Sequence, residues 1–572
     1  MTPTKTKPTT NLTPPTSPLG RLGQSPPLLA VLGALLLWTG WLPHPAALPS
    51  LLLLLAWVPY LVLERQLTQQ GARKGRVFAT TYFMLVLWNA LTTWWVGNTT
   101  VPASGIAAVV LNALLMCLPL MAFRQTKKRL GDRVGYLALP VYWLAFEQLH
   151  LHWDVTWPWL TLGNGFAAAP QWVQWYEYTG FLGGSVWVWV VNLLVFRVLI
   201  KNYGGRLQSA DSGFERTSPS FLIFNLKSLI PALAVALPIG LSYAIGAAYH
   251  EKGSTAEVVV VQPNFDPYAE KFSGSPSYVP YPEQITRMLT LSAAYLTPQT
   301  RLIVWPETAL EESHWESTIE HQADIQRIRQ WLGERPGVAL LTGITTMSTY
   351  PSKEAASETA RYRDDLGYYD VYNAAVYFAN ATAPLALYHK SRLVPGVEKI
   401  PPVLSSVLNN IDLGGFVGSY GSQAARTVYA APASAPALRP APLICYESIY
   451  GDFVSEYVPN GATLLTLSTN DAWWGDSPGY RQLLRYGSLR CIETRRDLAR
   501  AANTGYTGFI NQKGDITQLA PTWVPTASRG LVHLNEEQTF YVRHGELVGR
   551  GAQGLAVLLL LGTIVVPLAR KK

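Results

Sequence analysis

Eight apolar runs, at about 28–42, 47–63, 77–96, 105–123, 134–151, 180–196, 229–249 and 554–569, constrain this chain more than any other feature. A helix needs roughly 20 apolar residues to cross a bilayer. The middle runs approach that length, and the first and last are shorter but flanked by Pro, Gly and Trp. The first run follows a Thr- and Pro-rich leader, residues 1–27, with no clear small-x-small cleavage site after it, so it is read as a retained helix rather than a signal peptide core. Only 14% of the 572 residues are charged, against about 25% in soluble domains, which excludes an ordinary soluble enzyme. Yet no such run falls between 251 and 545. The expected organisation is therefore the leader, a helical membrane region of seven helices over 28–250, a water-exposed domain over 251–545, and a last membrane helix with a basic tail over 546–572. Three cysteines, Cys117, Cys445 and Cys491, exclude a disulfide scaffold.

Lys and Arg placement orients the spans. One set of loops carries Lys5, Lys7 and Arg21, then Arg65, Arg73, Lys74 and Arg76, then Arg124, Lys127, Lys128, Arg129 and Arg133. It continues with Arg197, Lys201, Arg206, Arg216 and Lys227, and ends at Arg570, Lys571 and Lys572. The alternate loops, 43–46, 97–104 and 152–179, carry neither Lys nor Arg. Eight spans with both termini in the cytoplasm satisfy this asymmetry and put residues 250–550 outside it. The net charge of +8 thus sits largely in short cytoplasmic loops and does not call for nucleic acid. The 152–179 loop is aromatic (Trp153, Trp157, Trp159, Trp172, Trp175, Tyr176, Tyr178) and reads as an interfacial anchor, or else a platform beside a lipid entrance. Glu147, near a span end, is a functional candidate or a structural group.

From Glu257 onward, short β-branched runs alternate with helical spacing. Strands are expected at 258–261, 302–305, 338–346, 374–379, 384–389, 443–445, 463–468, 506–511 and 530–534, and helices at 283–297, 317–333, 449–458 and 480–498. That alternation indicates an α/β domain. Residues 352–370 and 399–440 read as long loops, which usually carry function.

Three positions end or follow a predicted strand: Glu307 in Trp305-Pro306-Glu307, Lys390 in Tyr388-His389-Lys390 with Glu398 eight residues on, and Cys445 in Ile444-Cys445-Tyr446-Glu447. A thiol at a strand end near a helix N-terminus suits a nucleophile, because the helix terminus favours thiolate. Singly, Glu307 reads as a helix-start charge, Lys390 as a surface lysine and Cys445 as a small buried hydrophobe. Occurring together, each with its flanking residues, they point to catalysis.

This set resembles the carbon–nitrogen hydrolase (nitrilase) superfamily, and with eight spans the chain resembles its membrane-embedded apolipoprotein N-acyltransferase family. Thr469-Asn470-Asp471-Ala472-Trp473-Trp474-Gly475, Arg500-Ala501-Ala502-Asn503-Thr504-Gly505 and Trp157-Pro158-Trp159 extend the likeness to nearly the whole chain. The resemblance implies an α-β-β-α sandwich joined to a multi-span helical bundle. It implies Cys445 as nucleophile, Glu307 as general base and Lys390 as the cation beside the oxyanion, with Glu398, Tyr446 and Glu447 in support. The Lys motif departs from the family's Val-Pro-Phe-Gly-Glu, reading Val394-Pro395-Gly396-Val397-Glu398. No Trp matches the family's loop tryptophan, for which Phe272 is the substitute; Phe272 and Trp473 are the substrate-binding candidates.

The implied reaction moves an acyl chain from a membrane phospholipid to the α-amino group of the N-terminal diacylglyceryl-cysteine of an apolipoprotein, through a Cys thioester. The implied setting is the bacterial inner membrane, with the catalytic domain periplasmic. No cofactor, metal or nucleic acid is expected, and the chain is expected to be a monomer. A covalent relay divides a hard acyl transfer into two easier steps. Keeping water out protects the thioester, and the apolar positions within 403–416 are expected to cover the pocket. The alternatives are a membrane-anchored amidase with water as acceptor, for which eight spans are excessive, and a transporter with an inactive outer domain, against which the scarcity of charge in the spans argues. Cys491 and Cys117 read as structural and inert. The arginines at 481, 485, 490, 495, 496 and 500 read mainly as partners of internal carboxylates, or else as contacts to lipid phosphate.

Overall fold

The computed structural model describes residues 25–42, 47–99, 102–203, 226–400 and 419–569. The leader to residue 24, the 43–46 loop, Arg206, Arg216, the apolar 403–416 stretch and the tail from 570 lie outside these residues.

All eight apolar runs fall on helical structure. The helices are α1 (Pro26–Trp38), α2 (Val58–Gln69), α3 (Lys74–Thr93), α4 (Pro102–Leu130), α5 (Asp132–His150), α6 (Leu182–Tyr203) and α7 (Leu226–Ala248), with another at Leu547–Ala569 that closes the described chain. Among the described residues, five stretches are long and apolar enough to cross a membrane: Leu48–Gln69, Gly105–Leu130, Leu182–Lys201, Leu229–Ala248 and Leu547–Ala569. Pro26–Trp41 is a shorter apolar helix, and α3 and α5 are not among the five. In Leu48–Gln69, Pro59 lacks an N–H and opposes a regular turn, so a 3-10 segment and a short turn precede α2. Asn192 on α6 repairs the break: its Oδ1 accepts from the N–H groups of Trp57 (2.8 Å) and Val58 (3.2 Å), and its Nδ2 donates to the Leu53 carbonyl (2.9 Å). Fully buried indoles fill the bundle, Trp57 lying 4.6 Å from Trp143 and 4.7 Å from Trp189 between ring centres. Leu233, Leu237 and Leu241 on α7, and Leu555, Leu558 and Leu561 on the closing helix, are instead exposed, an apolar surface suited to lipid.

The second half is two sheets between helices. The larger runs β13-β1-β2-β4-β6-β5, with β3 also on β4 and β7 on β6. Its strands are β1 (Ser254–Gln262), β2 (Thr300–Val304), β3 (Leu310–Trp315), β4 (Ala339–Thr349), β5 (Arg361–Arg363), β6 (Gly367–Phe378), β7 (Ala386–His389) and β13 (Thr526–Leu534). The smaller, β12-β11-β10-β9-β8, comprises β8 (Pro440–Ile444), β9 (Leu464–Thr469), β10 (Leu498–Ala502), β11 (Gly508–Ile510) and β12 (Ile516–Thr517). The centre of each sheet is parallel: β1, β2 and β4 in one, β8, β9 and β10 in the other.

Strand alternation divides the core. Val259, Val261, Ile303, Leu340, Val376 and Phe378 face outward onto α8 (Tyr281–Tyr295) and α9 (Ala323–Gly333) through Ile285, Met288, Ile325 and Ile328. Val258, Val260, Leu302, Val304 and Leu341 face inward onto Leu443, Leu465, Leu467 and Ala501 of the second sheet. Outside that sheet lies α10 (Pro478–Thr494), giving an α-β-β-α order. The inner core does not stop at the sheets, since one continuous apolar cluster runs from them through Tyr446, Trp474, Tyr480 and Tyr486 into the indoles of the bundle.

Several expected boundaries are corrected. The helix expected over 480–498 ends at Thr494, where Arg495 turns left-handed (φ 51°), and Leu498–Ala502 is a central strand. The expected 352–370 loop contains β5 and the start of β6. The 152–179 segment is no simple headgroup anchor. Trp159 is fully buried and donates to Gln482 of α10 (2.6 Å), while Tyr486 donates to the Trp159 carbonyl (2.9 Å). Glu147 is buried and accepts from Trp143 Nε1 (2.9 Å) and Leu162 N–H (2.8 Å).

Candidate active site

Three strand ends converge between the sheets. Beyond β2, Trp305 keeps the sheet's bonding through its N–H to the Leu341 carbonyl (2.9 Å), and its indole is pinned by Ser292 of α8 (2.9 Å). Pro306 then turns the chain into Glu307. This turn lies so close to β4 that a Cβ on Gly343 would stand 2.5 Å from the Thr308 nitrogen and 2.7 Å from Glu307 Cα. Only glycine permits that approach. Lys390 is one residue past β7, its N–H donating to the Asn373 carbonyl (2.8 Å). Cys445 is one residue past β8. Ser468 Oγ ties the sheets together here by donating to the Trp305 carbonyl (2.9 Å).

The side chains meet in a buried ionic cluster. Lys390 Nζ lies 2.8 Å from Glu398 Oε1 and 3.2 Å from Glu307 Oε1. Asn373 Nδ2 donates to both carboxylates, at 2.8 Å to Glu307 and 2.9 Å to Glu398. Glu307 Oε2 accepts from Asn470 N–H (3.0 Å), and Glu398 Oε2 from Val394 N–H (2.8 Å). Lys390 is 1% exposed, and burial pulls its ammonium down. Glu307 and Glu398 outweigh that pull and hold it well above the ordinary lysine range, so it is a cation at neutral pH.

Cys445 stands beside this cluster with φ at +49°. A non-glycine residue in that region costs about 1–3 kcal/mol and typically marks a functional site. Thr308, next to Glu307, also has positive φ (50°). Burial, followed by the Glu307 charge, pushes the Cys445 thiol well up, against the pull of Lys390 and a hydrogen bond with Thr469. Only a 3-10 turn, Cys445–Ile449, follows the thiol, in place of the helix start expected there.

Glu447 binds the thiol turn to the lysine loop. Its Oε1 accepts from Tyr388 OH (2.6 Å), Ser391 N–H (2.7 Å) and Arg392 N–H (3.2 Å), and its Oε2 from Ile444 N–H (2.8 Å). Burial pushes the Glu447 carboxyl up against those donors. Tyr446 turns toward the bundle, donating to the Thr156 carbonyl (3.2 Å) with its ring stacked 6.0 Å from Trp157. Phe272 stacks on Trp473 at 5.6 Å, and Tyr268 meets the same indole edge-on. These two substrate candidates thus form one half-buried aromatic pair.

Sequence reasoning did not single out Asn373, which bridges both carboxylates, or Lys271. The latter is buried and donates to Thr308 Oγ1 (2.7 Å) and the Glu307 carbonyl (3.3 Å). A polar residue mid-way along a strand that is otherwise buried was the available signal for Asn373. Of the six arginines three meet internal carboxylates: Arg500 grips Asp471 through two bonds (2.8 and 2.9 Å), Arg490 pairs with Glu493 and Arg495 with Glu177, whereas Arg481 pairs with the exposed Asp476. Arg496 is satisfied by carbonyls instead. Cys117 and Cys491 are buried free thiols.

A sandwich with carboxylate, ammonium and thiol at its strand ends fits the carbon–nitrogen hydrolase class. Residues 241–538 match the family described as Carbon-nitrogen hydrolase, and residues 33–194 match the Apolipoprotein N-acyltransferase N-terminal domain. Along its length the chain is 30% identical to the apolipoprotein N-acyltransferase of Chlorobaculum tepidum, covering 95% of this chain and 97% of that protein. The enzyme of the same name from Geobacter metallireducens is 25% identical, covering 91% and 92%. Among solved structures, an amidase from Nesterenkonia sp. is similar at 16% identity and a TM-score of 0.33, covering 51% of this chain and 94% of that one. The chain belongs to the apolipoprotein N-acyltransferases, a family of carbon–nitrogen hydrolase enzymes.

Proposed function

We propose that this protein transfers an acyl chain from a membrane phospholipid to the free α-amino group of an N-terminal diacylglyceryl-cysteine, completing the maturation of bacterial lipoproteins. Glu307 takes the Cys445 proton as sulfur attacks the ester carbonyl; the S–C bond forms, the C–O bond breaks, and the proton passes to the departing lysophospholipid hydroxyl. The amine then attacks the thioester, the N–C bond forms, the C–S bond breaks, and Glu307 relays the amine proton to sulfur. Lys390 faces the oxyanion in both steps, a placed charge being worth several kcal/mol in a dry site. Glu398 and Asn373 hold Lys390 and Glu307 in register. Tyr446 and Glu447 hold the turn that carries the thiol.

One observation carries the transferase reading over a hydrolytic one: the residue next to the thiol is built into the membrane half. The Tyr446 contacts with Thr156 and Trp157 set the reacting sulfur against an aromatic layer continuous with the bundle. Donor and acceptor are both lipids, and such a layer admits them while excluding water. The aromatic pair Phe272–Trp473 lies on the loops flanking the site and suits acyl contact. We further propose an inner-membrane, monomeric protein with its α/β half in the periplasm, from the loop charge asymmetry.

The test is incubation with acyl-labelled phospholipid, with and without a diacylated lipopeptide. Label should remain on Cys445 as a thioester without acceptor and move to the lipopeptide amine with it; Cys445→Ser should form neither species. Release of free fatty acid at the same rate in both conditions would replace the transferase with a hydrolase. Reporter fusions after residues 250 and 540 should both report the periplasm, and a cytoplasmic signal at either point overturns the orientation.

A further inference from the structure

We infer that Glu251, Asp497 and His533 form a binding site for a divalent first-row transition-metal ion of the zinc class, at the junction where the chain leaves the bundle. The three come from separate elements. Glu251 lies between α7 and β1, Asp497 in the turn between α10 and β10, and His533 near the end of β13, opposite Thr255 of β1. One ligand atom from each lies within 4.8 Å of the others. His533 Nδ1 is 3.5 Å from Glu251 Oε2 and 3.5 Å from Asp497 Oδ2.

Those separations are at the far edge of hydrogen bonding. They are near the spacing of about 3.3 Å between ligand atoms that tetrahedral zinc imposes with bonds of about 2.0–2.1 Å. Imidazole with two carboxylates is a donor set that zinc and its neighbours accept, with water completing the shell.

A second observation is independent of the clustering. Asp497 is only 3% exposed, and while its Oδ2 accepts from His533 N–H (2.7 Å), its Oδ1 is buried without a donor. Glu251 Oε1 is likewise buried without a donor. A buried carboxylate oxygen left unpaired is costly and needs an explanation; the oxygens that face His533 are Oε2 and Oδ2, so an ion chelated through both oxygens of each carboxylate would give the unpaired ones a partner. The backbone is shaped to bring the groups together. Gly253 (φ +100°) presses so close to β13 that a Cβ there would stand 2.1 Å from the Leu534 carbonyl oxygen. Asp497 is anchored by its carbonyl, which accepts from Leu465 N–H of β9 (3.0 Å). Glu251 and His533 are half-buried, leaving a path for the ion. The bound ion would clip the end of α7 to both sheets, apart from the Lys390 cluster.

The experiment uses the untagged full-length protein in detergent, stripped with chelator, equilibrated with zinc and dialysed. Metal content by mass spectrometry should reach about one ion per chain. Asp497→Asn and His533→Gln should each weaken binding by at least about tenfold. Cobalt should give the visible bands of a four- or five-coordinate site in the wild type and lose them in the variants. Zinc should raise the thermal unfolding midpoint of the wild type alone. Should Asp497→Asn not fold, Glu251→Gln, at a half-exposed position, carries the same expectation. No zinc retained by the wild type, or equal retention by wild type and variants, overturns the site.

Discussion

Lys127 in the bundle and Lys390 in the sandwich are both buried lysines bonded to carboxylates, but their surroundings differ. Lys127, in the last turn of α4, lies 2.6 Å from Glu64 Oε2 of α2, and Arg124 lies 3.3 Å from Oε1 of the same carboxylate. Each oxygen has its own cation and all three groups stand on regular helices, so the cluster is a clasp between helices. Lys390 instead leaves a strand end, shares an asparagine with two carboxylates, and stands by a thiol whose backbone is in a disfavoured conformation. A buried ion pair alone is weak evidence of function. The loop placement and the strained neighbour make the difference.

That contrast breaks down if the two lysines behave alike. Lys390→Met should lower acyl transfer per folded molecule by about 10²–10³-fold, and it should also lower stability because it leaves Glu307 and Glu398 buried without their cation; transfer within about threefold of wild type would remove Lys390 from the chemistry. Glu307→Gln keeps shape and most hydrogen bonding but loses the base, so thioester formation and its aminolysis should both slow by at least about 10²-fold, read by rapid mixing and intact-protein mass. Thioester formation at the wild-type rate would mean that another group accepts the thiol proton. Lys127→Met should have the smallest effect on turnover, leaving activity per folded molecule unchanged while stability falls by about 3 kcal/mol, because one partner of a buried pair is lost. A turnover defect without that destabilisation would dissolve the distinction.

The two halves were also unequally legible in the sequence. Apolar runs of near-span length are a local signal, and all eight fell on helical structure. Strand ends were legible because Leu302–Val304 and Leu443–Ile444 are short buried runs stopped by Trp305-Pro306 and by Cys445. Long-range contacts were not legible. Nothing local in α10 shows that Arg495 adopts φ 51° and frees Leu498–Ala502 to pair with β9. Nothing near Asn373 in sequence reveals that Glu307 and Glu398 converge on it. The tryptophans of 152–179 carried a membrane-interface signature from composition alone, whereas Trp159 spends its indole N–H on Gln482, more than 300 residues away.

The apolar cluster shared by bundle and sheets has a consequence for how such a protein is made. Trp95 lies 4.9 Å from Trp474 and 4.6 Å from Trp159, and Trp41 donates its indole N–H to Tyr486 (2.9 Å). The second half of the chain therefore lacks one wall of its own core, and that wall is synthesised first. A fragment beginning near residue 251 would present Tyr446, Trp474, Tyr480 and Tyr486 to water as a sticky face. Assembly is thus ordered in time: the early helices must be in place before the later half has anything to close against.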